Sequence, residues 1–172
     1  MELLPFRFFF QFINLSGNSL KMKNSGVTLL EIIIVMSILA ILGMISTGYY
    51  RNYLKSVELQ NAAKNIIFDL KGVQVKAMSG ENQLKWGVHF VNSSSDYYET
   101  FSTPTNYADP SKVVENTIYL PYTVIFTNPS EGNTADIIFE RIKGTISSLA
   151  TITISSENNS QTITVTVQGN VY

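Results

Sequence analysis

The chain has no cysteine, one histidine, one tryptophan and no proline between residues 6 and 103. Without cysteine there are no disulfides, no thiolate metal sites and no cysteine nucleophile. That absence does not fix a compartment, because a domain of this size can be stable with no cross-link. With His89 as the single histidine, neither a histidine-rich metal site nor a Ser-His-Asp triad can be built without it. Positive charge is also scarce: 12 basic and 13 acidic side chains give a net −1. Removing residues 1–26 would take Arg7, Lys21, Lys23 and Glu2 away, leaving 9 basic and 12 acidic side chains, or −3. Such a body offers no electrostatic reason to expect nucleic acid or an anionic membrane face as partner. No phosphate-binding glycine loop and no nucleophile elbow occurs. The sequence therefore predicts no catalytic cluster, no metal and no cofactor.

What is present is apolar and lies near the start. Phe6-Arg7-Phe8-Phe9-Phe10-Gln11-Phe12-Ile13 holds five of the ten phenylalanines, but eight residues cannot span a bilayer as a helix. It reads either as part of a long leader or as sequence upstream of a true start at Met22, and the second reading is preferred. The informative run follows Lys21-Met22-Lys23-Asn24-Ser25-Gly26 and extends from Val27 to Tyr50. An ordinary secretory signal is cut after its apolar region. Here the polar break precedes the run, so cleavage at Gly26 would leave the apolar segment in the mature chain. Glu31 is the odd residue, since a carboxylate inside a membrane segment costs several kcal/mol unless paired or at an interface. Cleavage after Gly26 would create an α-amino group at Val27, a natural partner for Glu31 on the same subunit or a neighbour. The plainer alternative places Glu31 at the membrane interface with little role.

The segment Gly26-Val27-Thr28-Leu29-Leu30-Glu31 with its aliphatic run resembles the cleavage and methylation motif of type IV pilins and type II secretion pseudopilins. The resemblance implies cleavage after Gly26 by a prepilin peptidase, N-methylation of Val27, and Glu31 as the assembly carboxylate. It further implies other pilin or pseudopilin subunits and an inner-membrane assembly platform as partners. The chain would then be single-pass in the inner membrane, with an extracytoplasmic head. Val27 departs from the phenylalanine usual at that position.

Val27–Tyr50 is 24 residues, roughly 36 Å as a helix and enough for a ~30 Å hydrocarbon core. Beyond it the helical period persists. Leu59, Ala63, Ile66, Leu70, Val73 and Ala77 form an apolar stripe, with Lys55, Glu58, Lys64 and Lys71 off it. One helix over about Val27–Met78 is expected, stopping at Gly80. Gly43 and Gly48 are its expected points of flexibility, or alternatively sites of close helix packing.

From Lys85 the period becomes two, and Trp86, Val88 and Phe90 alternate with Gly87, His89 and Val91. Further strands are expected at Tyr97–Ser102, Thr117–Leu120, Thr123–Thr127, Asp136–Ile142, Ala150–Ser155 and Thr162–Gln168. Ser102–Asn116 reads as a loop, and Glu157–Ser160 as a hairpin turn. The fold class is α+β: a long N-terminal helix, half membrane and half amphipathic, packed on an antiparallel head of two small sheets. The expected divisions are a leader over 1–26, the assembly half of the helix over 27–50, its amphipathic half over 51–79 and a head over 80–172. Ala62–Ala77, Trp86–Phe90, Ile138–Thr145, Ile163–Val165 and Gly169–Val171 resemble the H-type minor pseudopilins (GspH/FimT-like). DNA-binding members place arginines around the terminal glycine motif, whereas no basic residue follows Lys143 here.

These features point to a structural subunit of a secretion or pilus-like filament, minor or major. A DNA-uptake pilin and an anchored extracytoplasmic enzyme are the competing classes. His89 is expected on the open face of its strand. Asp96, Glu99, Asn106 and Asp109 read as solvated charge and polarity, with a loop calcium site as the alternative. Glu140 and Arg141 are expected on opposite faces of one strand. Asn92 and Asn158 begin sequons, which matter only where proteins are glycosylated.

Overall fold

The computed structural model describes residues 26–157 and 159–172, with the backbone alone for 45–49. The aromatic run Phe6–Ile13, the basic stretch before Gly26 and Asn158 lie outside the described residues. Two units divide the chain, one ending at Leu42 and one running from Gly43 to Tyr172.

Helix α1 covers Leu29–Ser79, 51 residues, through Gly43 and Gly48 alike. It is followed by a short 3-10 turn, Glu81–Gln83. Seven strands make up the rest: β1 Lys85–Val91, β2 Tyr97–Thr103, β3 Val113–Tyr119, β4 Ile125–Asn128, β5 Thr134–Phe139, β6 Ala150–Ser156 and β7 Asn159–Val165. They form two antiparallel sheets, ordered β3-β2-β1-β5 and β4-β6-β7. This is the expected α+β class.

Within the second unit, the predicted stripe is the buried face of the helix: Leu59, Ala63, Ile66, Leu70, Val73 and Ala77 all join the core. Opposite them the strands alternate, Val88 and Phe90 from β1, Ile137 and Phe139 from β5, Ile152 and Ile154 from β6. A helix period of 3.6 and a strand period of 2 thus converge on one hydrophobic cluster. Polar bonds fix the helix on this head. The Tyr98 hydroxyl donates to Asp69 Oδ2 at 2.6 Å, and burial, aided by that carboxylate, raises the phenol above its ordinary pKa. The Gln74 amide donates to the carbonyls of Gly144 and Gly169, both at 2.9 Å. The helix ends where Gly80 turns left-handed at φ 69°, and the Ala77 carbonyl then accepts from Gly80 N and Ile142 N.

A second polar set joins the sheets. Asn92 Nδ2 donates to the carbonyls of Phe126 and Pro129, while Asp96 accepts from the N–H groups of Ser93 and Phe126. Three of these bonds tie the β1–β2 connection to β4 of the other sheet and to the Pro129 that follows it, and together the four satisfy the buried side chains of Asn92 and Asp96.

Three boundaries differ from expectation. β3 begins at Val113, inside the stretch read as loop, because Val113 and Val114 pair with Ser102 and Phe101. β5 stops at Phe139, so Glu140 and Arg141 lie in the following turn rather than on a strand. Glu140 pairs with Lys85 at 2.8 Å and Arg141 donates to the Gln83 carbonyl. β7 starts at Asn159, opposed to Ser156, which shortens the β6–β7 connection to two residues. Glu157 takes a positive φ of 51° there, the backbone that two-residue hairpins require.

β3 is an outer strand, paired to β2 alone, and carries one extra residue at Glu115: Asn116 faces Thr100, but Val114 faces Phe101. That bulge kinks the strand, and Glu115 is held by an ion pair with Lys76, whose ammonium also lies 4.6 Å from the Trp86 ring centre.

Candidate processing and assembly site

Thr28 stands immediately before α1. Its Oγ1 accepts from Glu31 N–H at 3.2 Å, and its carbonyl accepts from Ile32 N–H at 3.2 Å. Thr28 is therefore the N-cap, and Thr28-Leu29-Leu30-Glu31 has the spacing of a capping box. The sequence reading assigned Thr28 no role, although its threonine-x-x-glutamate pattern is the ordinary signature of a helix start. The cap leaves Gly26 and Val27 outside the helix, both exposed. Glu31 sits exposed in the first turn, where the positive end of the helix dipole favours a carboxylate.

The helix that follows is apolar on every side. From Leu29 to Met44 its large hydrophobic side chains are between 47% (Val35) and 79% exposed (Leu29, Met44). The one hydroxyl among them, Ser37, donates back to the Ile33 carbonyl at 2.7 Å, so its polar atom asks nothing of the surroundings. A helix apolar all round is stable only when something covers it. Among the described residues, no helix is long and apolar enough to cross a membrane. The stretch with described side chains, 29–44, amounts to 16 residues or about 24 Å. A Cβ at Gly43 would meet nothing within 4 Å, and the surroundings of Gly48 are not described.

In the second unit α1 also carries apolar side chains away from the core. Leu54, Phe68 and Val75 are 41%, 76% and 64% exposed. Their helical spacing puts them on one side, opposite the buried stripe, with the polar, exposed Asn61 between Leu54 and Phe68.

The other candidates are dispersed. His89 is not on an open face: it is buried at 7% exposure under the ring of Tyr107, stacked 3.6 Å away. Strand alternation gives its face correctly, but a distant loop covers that face. Asp96 is buried in the inter-sheet bonds, so it is not solvated as expected. Glu99 accepts from the Tyr107 hydroxyl at 2.6 Å. Asp109 accepts from Ser111 and Thr105, which hold its carboxyl below the usual range. Asn106 caps Ala108 N–H. Among the described residues, no three acidic or histidine side chains gather to hold a metal. Asn92 of the first sequon is buried with its amide donating to two carbonyls, so the folded head does not present it for glycosylation.

Residues 21–47 match the family described as the prokaryotic N-terminal methylation motif. The match brackets Gly26, Val27, the Thr28 cap and Glu31, and it supports a pilin-like, processed structural subunit. No curated protein and no solved structure matches the chain.

Proposed function

We propose that the chain is a minor pseudopilin or pilin, cut after Gly26, methylated at Val27 and anchored by residues 27–50 in a membrane before assembly into a filament of a type II secretion or type IV pilus-like machine. The carrying observation is the methylation motif at residues 21–47 set at the capped start of a helix that is apolar on all sides. In this reading the bilayer covers the apolar helix first, and neighbouring helices cover it in the filament. Glu31 pairs with the Val27 ammonium of a neighbouring subunit, which satisfies both charges in a medium where an unpaired carboxylate is costly. The exposed Leu54, Phe68 and Val75 continue that helix contact towards the heads. Prepilin peptidase, an assembly platform and sister subunits are the partners the reading requires.

The test is co-expression of the full gene with a prepilin peptidase, followed by mass spectrometry of the mature N-terminal peptide. A peptide starting at N-methylated Val27, and lost in Gly26→Asp, is the expected result. An intact leader, or a cut beyond the apolar run, ends the proposal.

A further inference from the structure

The outer face of the four-stranded sheet carries a cluster that none of the processing chemistry uses. Its centre is His89 on β1. Across one neighbouring strand its register partner is Glu99, and across the other it is Asp136. His89 Nδ1 is hydrogen-bonded to Asp136 Oδ1. The loop over residues 104–112 crosses above and lays Tyr107 flat on the imidazole, with ring centres 3.6 Å apart and planes within 5°. Tyr107 also meets Phe101 edge-on at 4.9 Å, donates to Glu99, and has the Lys112 ammonium 4.2 Å from its ring centre. Beneath Phe101 the sheet has Gly87, where a Cβ would lie 2.9 Å from the ring. The loop is thus strapped to the sheet chiefly through one tyrosine, and that tyrosine rests on the single histidine.

We propose that His89 is a protonation-controlled latch: charging its imidazole between Asp136 and Glu99 fastens the 104–112 strap on the sheet, and discharging it loosens the strap. The groups facing the imidazole decide the sign. Glu99 from β2 and Asp136 from β5 are anionic, Lys112 from the strap is cationic, and Tyr107 is neutral, which leaves one negative charge in excess. An imidazolium balances it, strengthens the contact to Asp136 and adds a cation–π term to the Tyr107 stack. Histidine is the side chain that ordinarily changes charge between pH 5 and 8. Two neighbours are shifted away from that window. Burial and the Glu99 bond keep the Tyr107 phenol above its ordinary pKa. Asp109, which shapes the strap through Ser111 and Thr105, is held below its own.

The strap runs straight into β3, so the latch sets how firmly the sheet's outer strand begins. The test is amide exchange of residues 105–112 in the full chain in detergent, from pH 5 to 8, with rates normalised to those of an unstructured peptide. Wild type should gain several-fold protection between pH 8 and pH 5 as the contact to Asp136 becomes charge-assisted. In His89→Gln the profile should be flat. A flat wild-type profile, or an undiminished rise in His89→Gln, overturns the latch. Should that buried substitution fail to fold, Asp136→Asn at the more exposed partner serves instead. A smaller rise there supports the latch, and a rise equal to wild type refutes it.

Discussion

Thr28 caps the helix through the backbone N–H of Glu31, so the residue just after the proposed cleavage product's first position fixes the first turn that carries the proposed assembly carboxylate. The bond decides where the helix begins and so leaves Gly26 and Val27, the proposed processing site, outside it.

Thr28→Ala should cost the helix start about 1 kcal/mol, the usual worth of an N-cap, whereas Thr28→Ser should be near neutral. Faster amide exchange at Glu31 and Ile32 in the alanine variant is the expected reading. Equal exchange in all three proteins would show that the hydroxyl does not cap.

Gly169 and Gly132 both have left-handed φ, 87° and 77°, but differ in their surroundings. A Cβ at Gly169 would come within 2.1 Å of the Gly144 carbonyl oxygen and 2.3 Å of Gln74 Nε2, while Gly132 faces open space. Gly132→Ala should therefore cost about 1 kcal/mol, from backbone conformation alone. Gly169→Ala should cost about 3 kcal/mol by also breaking the Gln74 bridge. Urea unfolding of the two variants side by side checks this, and equal costs would refute the bridge.

Tyr98 ties stability to alkaline pH. Its phenol is raised by burial and by Asp69, so the folded chain keeps a proton that the unfolded chain releases near pH 10. The contribution is complete below that pH and is lost as pH rises above it, at up to about 1.4 kcal/mol per pH unit. Tyr98→Phe should be less stable at pH 8 yet show a shallower decline between pH 9.5 and 11. Parallel declines in denaturant midpoint would remove Tyr98 as the cause.

Phe68 lies on the exposed side of α1, opposite the core. Phe68→Glu should change head stability by no more than about 0.5 kcal/mol while sharply reducing co-purification of subunits. A stability loss without an assembly defect would place Phe68 in the fold rather than in the contact.

Much of this was legible in the sequence, and the physical reason differs by element. The stripe from Leu59 to Ala77 was readable because a helix repeats the same demand every turn, and all six positions are buried. The β1 alternation was equally plain. The cover over His89 was not, because it comes from Tyr107 in a proline-bounded loop, a contact with no local signature. The early start of β3 was hidden by the same loop composition. Asp96 reads as surface charge and Asn92 only as the start of a sequon because their partners, Phe126 and Pro129, lie 30 and 37 residues away along the chain. Gln74 likewise gives no sign that it bridges two glycine turns.

The extra residue at Glu115 has a consequence for crowding. In the proposed filament, heads tethered side by side meet at effective concentrations on the order of millimolar. A flat outer strand with its backbone groups bare would knit such neighbours into continuous sheet. The kink at Glu115, pinned by Lys76, spoils that template at its midpoint. Heads can then stand shoulder to shoulder without fusing, and subunits drawn back out of the assembly could part from one another as cleanly as they came together.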